Sequence, residues 1–343
     1  MVIIGFSLYK LDSNAIVQVV STMDTISIVA LSLISTKSRE LVKSLNLRNV
    51  DFSLSISGLV TVYWRSHTQF PHFYLHRDDA LNLNGEPIQL DQTPIRIKTL
   101  ESYSTEFEWR NPQNFTFQQF FEHFQSIFHV DELYRISFWY NIQQIPEIEK
   151  LKKLLPKSKN LVVLTHSTVC AKKILEEFLP ESGRLSTFTD LFYTQNQIPI
   201  PLQNFGIQNL DVVSINNIGN LKLEDLLSLN APKIKIHLCR FGQFVPLQVV
   251  VNRFIKNWIR GSNPRMKLIS ISSFPRDPDF SVDSVLRGIQ YTIVPEDQEH
   301  SFETNPPSYL KRGFDIRSRN GRKANVQINR ILPRTSFCVH VFD

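Results

Sequence analysis

Glycine is scarce, and its eleven copies in 343 residues never fall as Gly-x-Gly. Neither a dinucleotide-binding fingerprint nor a glycine-rich kinase loop can be built from such a chain. The G-x-x-x-x-G-K and G-x-S-x-G spacings are missing as well, and so are H-E-x-x-H and an acidic EF-hand loop. These absences remove most motif-defined catalytic sites. The chain is expected not to be an enzyme and to need no cofactor. Cysteine is nearly absent too. Cys170, Cys239 and Cys338 are odd in number and form no C-x-x-C pair, a pattern of reduced thiols in the cytoplasm or nucleus rather than of a disulfide framework.

Most of the chain also lacks net charge. Of thirty-eight Lys/Arg and thirty-two Asp/Glu, eight and two lie in residues 309–343, which leaves thirty of each in residues 1–308. The whole excess of +6 therefore sits in the last thirty-five residues. A uniformly basic nucleic-acid surface is excluded, and a local basic patch is not. With 42% hydrophobic and 20% charged residues, the composition is globular and supplies a sizeable core.

Long apolar runs are limited to Ala15–Ser35, which is long enough to draw attention as a membrane span. Gln18 and Asp24 interrupt it, and Met23-Asp24-Thr25 has the form of a helix end followed by an N-cap. The expectation is two helices, near Asn14–Met23 and Thr25–Ile34, followed by a third at Thr36–Leu45, with no membrane association. No signal peptide is expected, because Met1–Tyr9 has neither a positive n-region nor a small-residue cleavage site. Ala15, Ile16, Val19, Val20 and Met23 are read as one face of the first helix. So small a module cannot bury all its apolar side chains alone, and must pack on a partner, on the following part of the chain, or on both.

The expected fold is mixed α+β and α/β, in four parts: a three-helix module at 1–49, a β-rich connector with an aromatic helix at 50–130, a strand-helix array at 131–300 and a basic hairpin at 301–343. In the connector, Phe52–Ile56, Leu59–Trp64, Phe73–Leu75 and Ile95–Ile97 alternate or cluster β-formers between turn residues. Phe115–Phe128 then reads as a helix with Phe117, Phe120, Phe121, Phe124 and Phe128 as its core stripe. From Asp131 to Gln290, apolar strands at 133–138, 161–164, 185–192, 210–215, 234–238 and 266–271 alternate with helical patterns at 145–155, 169–179, 221–229 and 247–259. A strand followed by a helix at this period reads as a leucine-rich-repeat-like stack. In the last part, Asn320-Gly321 between alternating runs predicts a hairpin with a type I′ turn, and Ser336–Phe342 a closing strand.

His166 and Cys170 with His237 and Cys239 have the chemistry of a zinc set. In the repeat register their strands lie three apart, about 14 Å at about 4.8 Å per strand, whereas metal ligands must come within about 2.3 Å of one ion. No metal site is expected. Arg317, Arg319, Arg322 and Lys323 around the hairpin turn leave a nucleic-acid reading, set against an edge hairpin whose charges deter pairing with other chains.

Two stretches carry a resemblance. Leu31–Leu45 (LSLISTKSRELVKSL) is similar to the second half of an F-box of the expanded nematode F-box proteins. Leu221–Ala231, Phe254–Arg265 and the Phe314–Ala324 hairpin resemble the F-box-associated domain of the same proteins. The resemblance implies a substrate receptor of an SCF-type ubiquitin ligase, in which an F-box grips the Skp adaptor, and through it a cullin, while the repeat domain holds a target protein. It implies an adaptor face of Leu8, Leu11, Ile16, Val19, Val20, Ile28, Leu31 and Leu33, and leaves the target and its contact residues open. Asn216, Asn217 and Arg240 are exposed candidates beside strands. Phe6–Asp12 departs from the family's Leu-Pro opening: Ser7 and Asp12 stand where prolines are usual, and Asn14 where an apolar residue is. Alternatives are an F-box-derived interaction module outside a ligase, or nucleic-acid binding through the basic hairpin.

Overall fold

The computed structural model describes residues 10–47, 51–57, 60–65, 72–76, 96–101, 105–110, 114–139, 148–165, 167–188, 200, 202–206, 208–219, 221–238, 246–273, 280–295, 299–302, 308–331 and 334–342. The chain forms two compact units, 1–159 and 160–343.

Capping residues set the start of the first unit. Asp12 accepts a hydrogen bond from the Ala15 N–H at 2.9 Å, Asp24 from the Ser27 N–H at 2.8 Å and Ser35 from the Ser38 N–H at 3.1 Å. Each satisfies an orphan donor of a helix start. They define α1 (Ser13–Ser21), α2 (Thr25–Ile34) and α3 (Thr36–Ser44). The apolar run is thus cut by Asp24, and among the described residues no helix is long and apolar enough to cross a membrane.

Antiparallel pairing in chain order joins β1 (Asp51–Ile56), β2 (Val60–Arg65), β3 (His72–His76), β4 (Arg96–Glu101) and β5 (Thr105–Arg110). On its other side β1 pairs in parallel with β6 (Leu133–Phe138). Strand β5 was not expected from the sequence. The aromatic helix is present as α4 (Phe117–Phe128), started by a reciprocal capping box between Thr116 and Gln119. All five phenylalanines of its stripe are buried. The Phe124 ring centroid lies 6.1 Å from that of Phe52 on β1 and 5.7 Å from that of Phe73 on β3, distances typical of favourable aromatic pairs. The short helix α5 (Ile148–Leu154) follows.

In the second unit strands and helices alternate, with a short helix between β8 and β9 that was not read from the sequence. Its elements are β7 (Ser158–Val163), α6 (Thr168–Phe178), β8 (Arg184–Thr187), α7 (Gln203–Gly206), β9 (Val212–Ile218), α8 (Leu223–Ser228), β10 (Lys233–Leu238), α9 (Leu247–Ile259) and β11 (Leu268–Ser273). The strands are parallel and adjacent in chain order. Beyond them come α10 (Val282–Val285), β12 (Thr292–Ile293), a separate pair β13 (Glu299–Phe302) and β14 (Ser308–Lys311), then β15 (Phe314–Arg317), β16 (Lys323–Ile331) and β17 (Arg334–Phe342). Strand β17 pairs antiparallel with β11, and the sheet continues through β16 and β15 to β12. Alternate residues such as Val213, Ile215, Ile234, Ile236, Ile269 and Ile271 are buried, as are Ala171 and Ile174 of α6 and Phe254 and Trp258 of α9.

The hairpin between β15 and β16 corrects one expectation. Gly321 has φ of 89°, but Asn320 is not in the positive-φ region that a type I′ turn requires. The Gly321 N–H reaches the Ser318 carbonyl at 3.0 Å and the Ser318 N–H the Arg322 carbonyl at 2.9 Å. This is a three-residue loop closed by a left-handed glycine. The Ser318 hydroxyl, bonded to the Asn320 side chain and the Arg322 carbonyl, holds the tighter alternative off.

Candidate functional site

Burial sorts the eight residues of the implied adaptor face into two groups. Val20 is wholly buried, Ile28 is 5% exposed and Leu33 2%; their side chains are core and offer no surface. This corrects the reading that Val19 and Val20 share one face, because a single helical step turns by about 100°. Leu11, Ile16 and Leu31 are half-buried and Val19 is 40% exposed. Leu8 lies outside the described residues. Two exposed apolar residues escaped the sequence reading: Val17 at 40% and Ile34 at 70%. α2 is apolar on nearly every side, so periodicity alone could not say which of its residues would stay outside.

Helix α4 packs against α2 and α3. The Ser32 hydroxyl meets His123 Nε2 at 2.8 Å in a buried contact, and His129 Nε2 lies 3.1 Å from the Lys43 carbonyl at the end of α3. Burial, with the Arg39 charge as a lesser cause, lowers the His123 pKa to about 4. His123 Nδ1 has no hydrogen-bond partner among the described residues. The neutral ring is therefore the form that binds Ser32. The following part of the chain packs on the inside of the module, and Val17, Val19 and Ile34 each stay exposed.

In the second unit, the conspicuous residues at 221–231 and 254–265 build scaffold. Helix α9 ends in a Schellman arrangement: the Ser262 N–H bonds to the Asn257 carbonyl, the Gly261 N–H bonds to that of Trp258, and Gly261 has φ of 109°. Asn263, left-handed at φ 50° and buried, donates from Nδ2 to the Leu226 carbonyl at 3.0 Å and the Leu229 carbonyl at 2.8 Å. Arg265 reaches Asn209 Oδ1 at 2.8 Å and the Asn230 carbonyl at 3.0 Å. The turn after α9 thus satisfies carbonyl groups left over at the end of α8.

Of the zinc set, only Cys170 and His237 lie among the described residues. Cys170 is buried, with its N–H on the Ser167 hydroxyl, His237 is bonded to Ser272, and β7 and β10 are three strands apart. His166 and Cys239 lie outside the described residues, among which no cluster could hold a metal ion. Of the exposed candidates, Asn216 donates to the Thr187 carbonyl at 2.7 Å. The Asn217 side chain and Arg240 lie outside the description. In the basic hairpin, Arg322 is committed to the Pro264 carbonyl at 2.7 Å and the Met266 carbonyl at 2.9 Å, and the Arg319 N–H to the Ile259 carbonyl. Arg317, Arg319 and Lys323 side chains remain exposed.

These features define a class first: a three-helix module with exposed apolar residues, followed by a strand-and-helix array. The families are specific. Residues 8–49 match the F-box domain and residues 201–271 match the family described as F-box associated. The chain carries an F-box followed by an F-box-associated domain, the combination typical of nematode F-box proteins. No curated protein and no solved structure matches it.

Proposed function

We propose that this chain is the substrate receptor of an SCF-type ubiquitin ligase, a non-enzymatic subunit of the cytoplasm or nucleus. The F-box binds a Skp adaptor and through it a cullin; the second unit, read as a leucine-rich-repeat-like array, holds a target protein. Its contribution is proximity: it raises the concentration of target lysines near a ubiquitin-conjugating enzyme and makes no bonds itself. The observation that carries this reading is the F-box match on helices whose apolar residues Val17, Val19 and Ile34 stay exposed. Depleted charge and apolar anchors suit the centre of a protein interface. Leu11, Ile16 and Leu31 are half-buried in the same module, and Val20, Ile28 and Leu33 belong to its core. Tagged full-length chain is expected to co-purify with both adaptor and cullin from cells. Recovery of neither overturns the proposal and leaves an interaction module outside a ligase.

A further inference from the structure

The second unit's sheet has two sides of opposite character. One side is the buried aliphatic core. On the other, register aligns Ser186, Ser214, Lys235, Ser270, Cys338 and Gln327 in a row across β8, β9, β10, β11, β17 and β16. Parallel strands are ordinarily covered on both faces, yet Lys235 and His237 stand exposed at the centre of this one, with Ser186, Ser214, Ser270, Ser272 and Ser336 only partly buried around them.

Between β8 and β17 the charge on this side is of one sign, and Asp315, in the register row of Lys233, stands beyond it on β15. From β8 to β17 it carries Arg184, Lys233 and Lys235 and no described carboxylate. None of the three has an ion-pair partner among the described residues. Cys338 donates to the Ser270 hydroxyl, which leaves that hydroxyl its own proton to give. Ammonium groups flanked by hydroxyl donors recognise carboxylates. Lys233 and Lys235 alternate along β10, about 7 Å apart, the same interval that separates alternate side chains of an extended chain.

We propose that this open face receives an extended acidic segment of the target protein, whose carboxylates at alternate positions meet Lys233 and Lys235 while the serine hydroxyls donate to it. The inference rests on the second unit being the target-holding part. A nucleic acid fits less well, because single-strand grooves combine a longer cationic track with several stacking aromatics, and between β8 and β11 this face offers, among the described residues, three cations and the exposed rings of Phe188 and His237.

The test is fluorescence anisotropy with full-length chain and a labelled peptide of alternating Glu and Ser. Matched Lys-Ser peptide and oligouridylate serve as comparison ligands. The Glu-Ser peptide is expected to bind, more weakly as salt rises, and to lose at least about tenfold in affinity in K233E/K235E, about 1.4 kcal/mol. The thermal midpoint should be unchanged; if the double variant is unstable, Lys235→Ala, at an exposed position, replaces it. No binding, equal binding by the folded variant, or tighter binding of oligouridylate lost in the same variant overturns the inference. Adaptor retention is measured on the same preparations. Adaptor bound without peptide defeats this inference alone, whereas peptide bound without adaptor defeats the ligase reading and leaves the acidic-segment face standing.

Discussion

At the scale of single residues, two polar side chains carry more than their spacing in the sequence could announce. Asn263 beside Pro264 is a local turn signal; it also caps α8 from thirty-odd residues away through two carbonyls, a contact no local pattern encodes. Asn263→Gly keeps the left-handed backbone but leaves two carbonyls short of a partner, and is expected to cost about 1–3 kcal/mol in urea unfolding. Asn263→Ala adds the strain of positive φ, about 1–2 kcal/mol more; equal losses for the two would show that φ plays no part. His123 sits in the Phe stripe, where spacing identified core but gave no hint of its bond to Ser32. Its pKa of about 4 in the folded chain compares with about 6.5 unfolded, so the unfolded chain takes up a proton that the folded one refuses. Stability is therefore lost as pH falls from about 6.5 to about 4, by about 3 kcal/mol for this group. His340, lowered to about 4 by burial in the second unit, acts in the same direction. Urea midpoints at pH 7 and pH 4.5 should differ less in His123→Gln than in the parent, and an undiminished difference would assign the effect elsewhere.

Elements show where periodicity suffices and where it does not. Helix α9 and strand β6 appear at the residues read from the sequence: Pro246 and Gly261 bracket the apolar stripe of α9, and the short apolar run of β6 follows Asp131-Glu132. Strand β5 was missed although Phe107 and Trp109 alternate with Glu106, Glu108 and Arg110, because only two apolar residues mark it and three of its six residues are charged. Within α2, adjacent residues divide between core and surface. Leu33→Ala is expected to lower stability by about 2–5 kcal/mol; Ile34→Ala, at a residue 70% exposed, should stay within about 0.5 kcal/mol yet weaken adaptor capture. Circular dichroism melts beside a pull-down separate the two effects, and an adaptor affinity unchanged in Ile34→Ala would remove that residue from the interface. Two glycines make a similar contrast. A Cβ at Gly321 meets nothing within 4 Å, whereas at Gly313 it would stand 2.5 Å from Asn325 Oδ1 and 2.9 Å from the Val326 carbonyl oxygen. Gly313→Ala should therefore cost clearly more than Gly321→Ala in thermal unfolding; the reverse order would mean that Asn325 moves aside freely.

Across the whole molecule, the concentration of charge in residues 309–343 was plain from composition, but its structural place was not. The hairpin is no appendage: Arg322 is tied to the turn after α9, and β17 covers the edge of β11. Deleting 309–343 is expected to abolish soluble expression, by baring that edge together with Ile269 and Ile271. Replacing Arg317, Arg319 and Lys323 with Gln removes exposed charge and should leave the melting temperature within about 2 °C; retention on heparin then measures the patch without confusing it with unfolding. A soluble, folded deletion would show the parallel array to be self-sufficient. The order of strands also has a consequence for biosynthesis. After β11 the chain runs to the far edge at β12, then returns through β15 and β16, so that β17 enters beside β11 last. While the ribosome is still making residues 274–333, β11 has no neighbour on that side. The second unit can close only after translation has passed β17, and the nascent chain needs shielding until then.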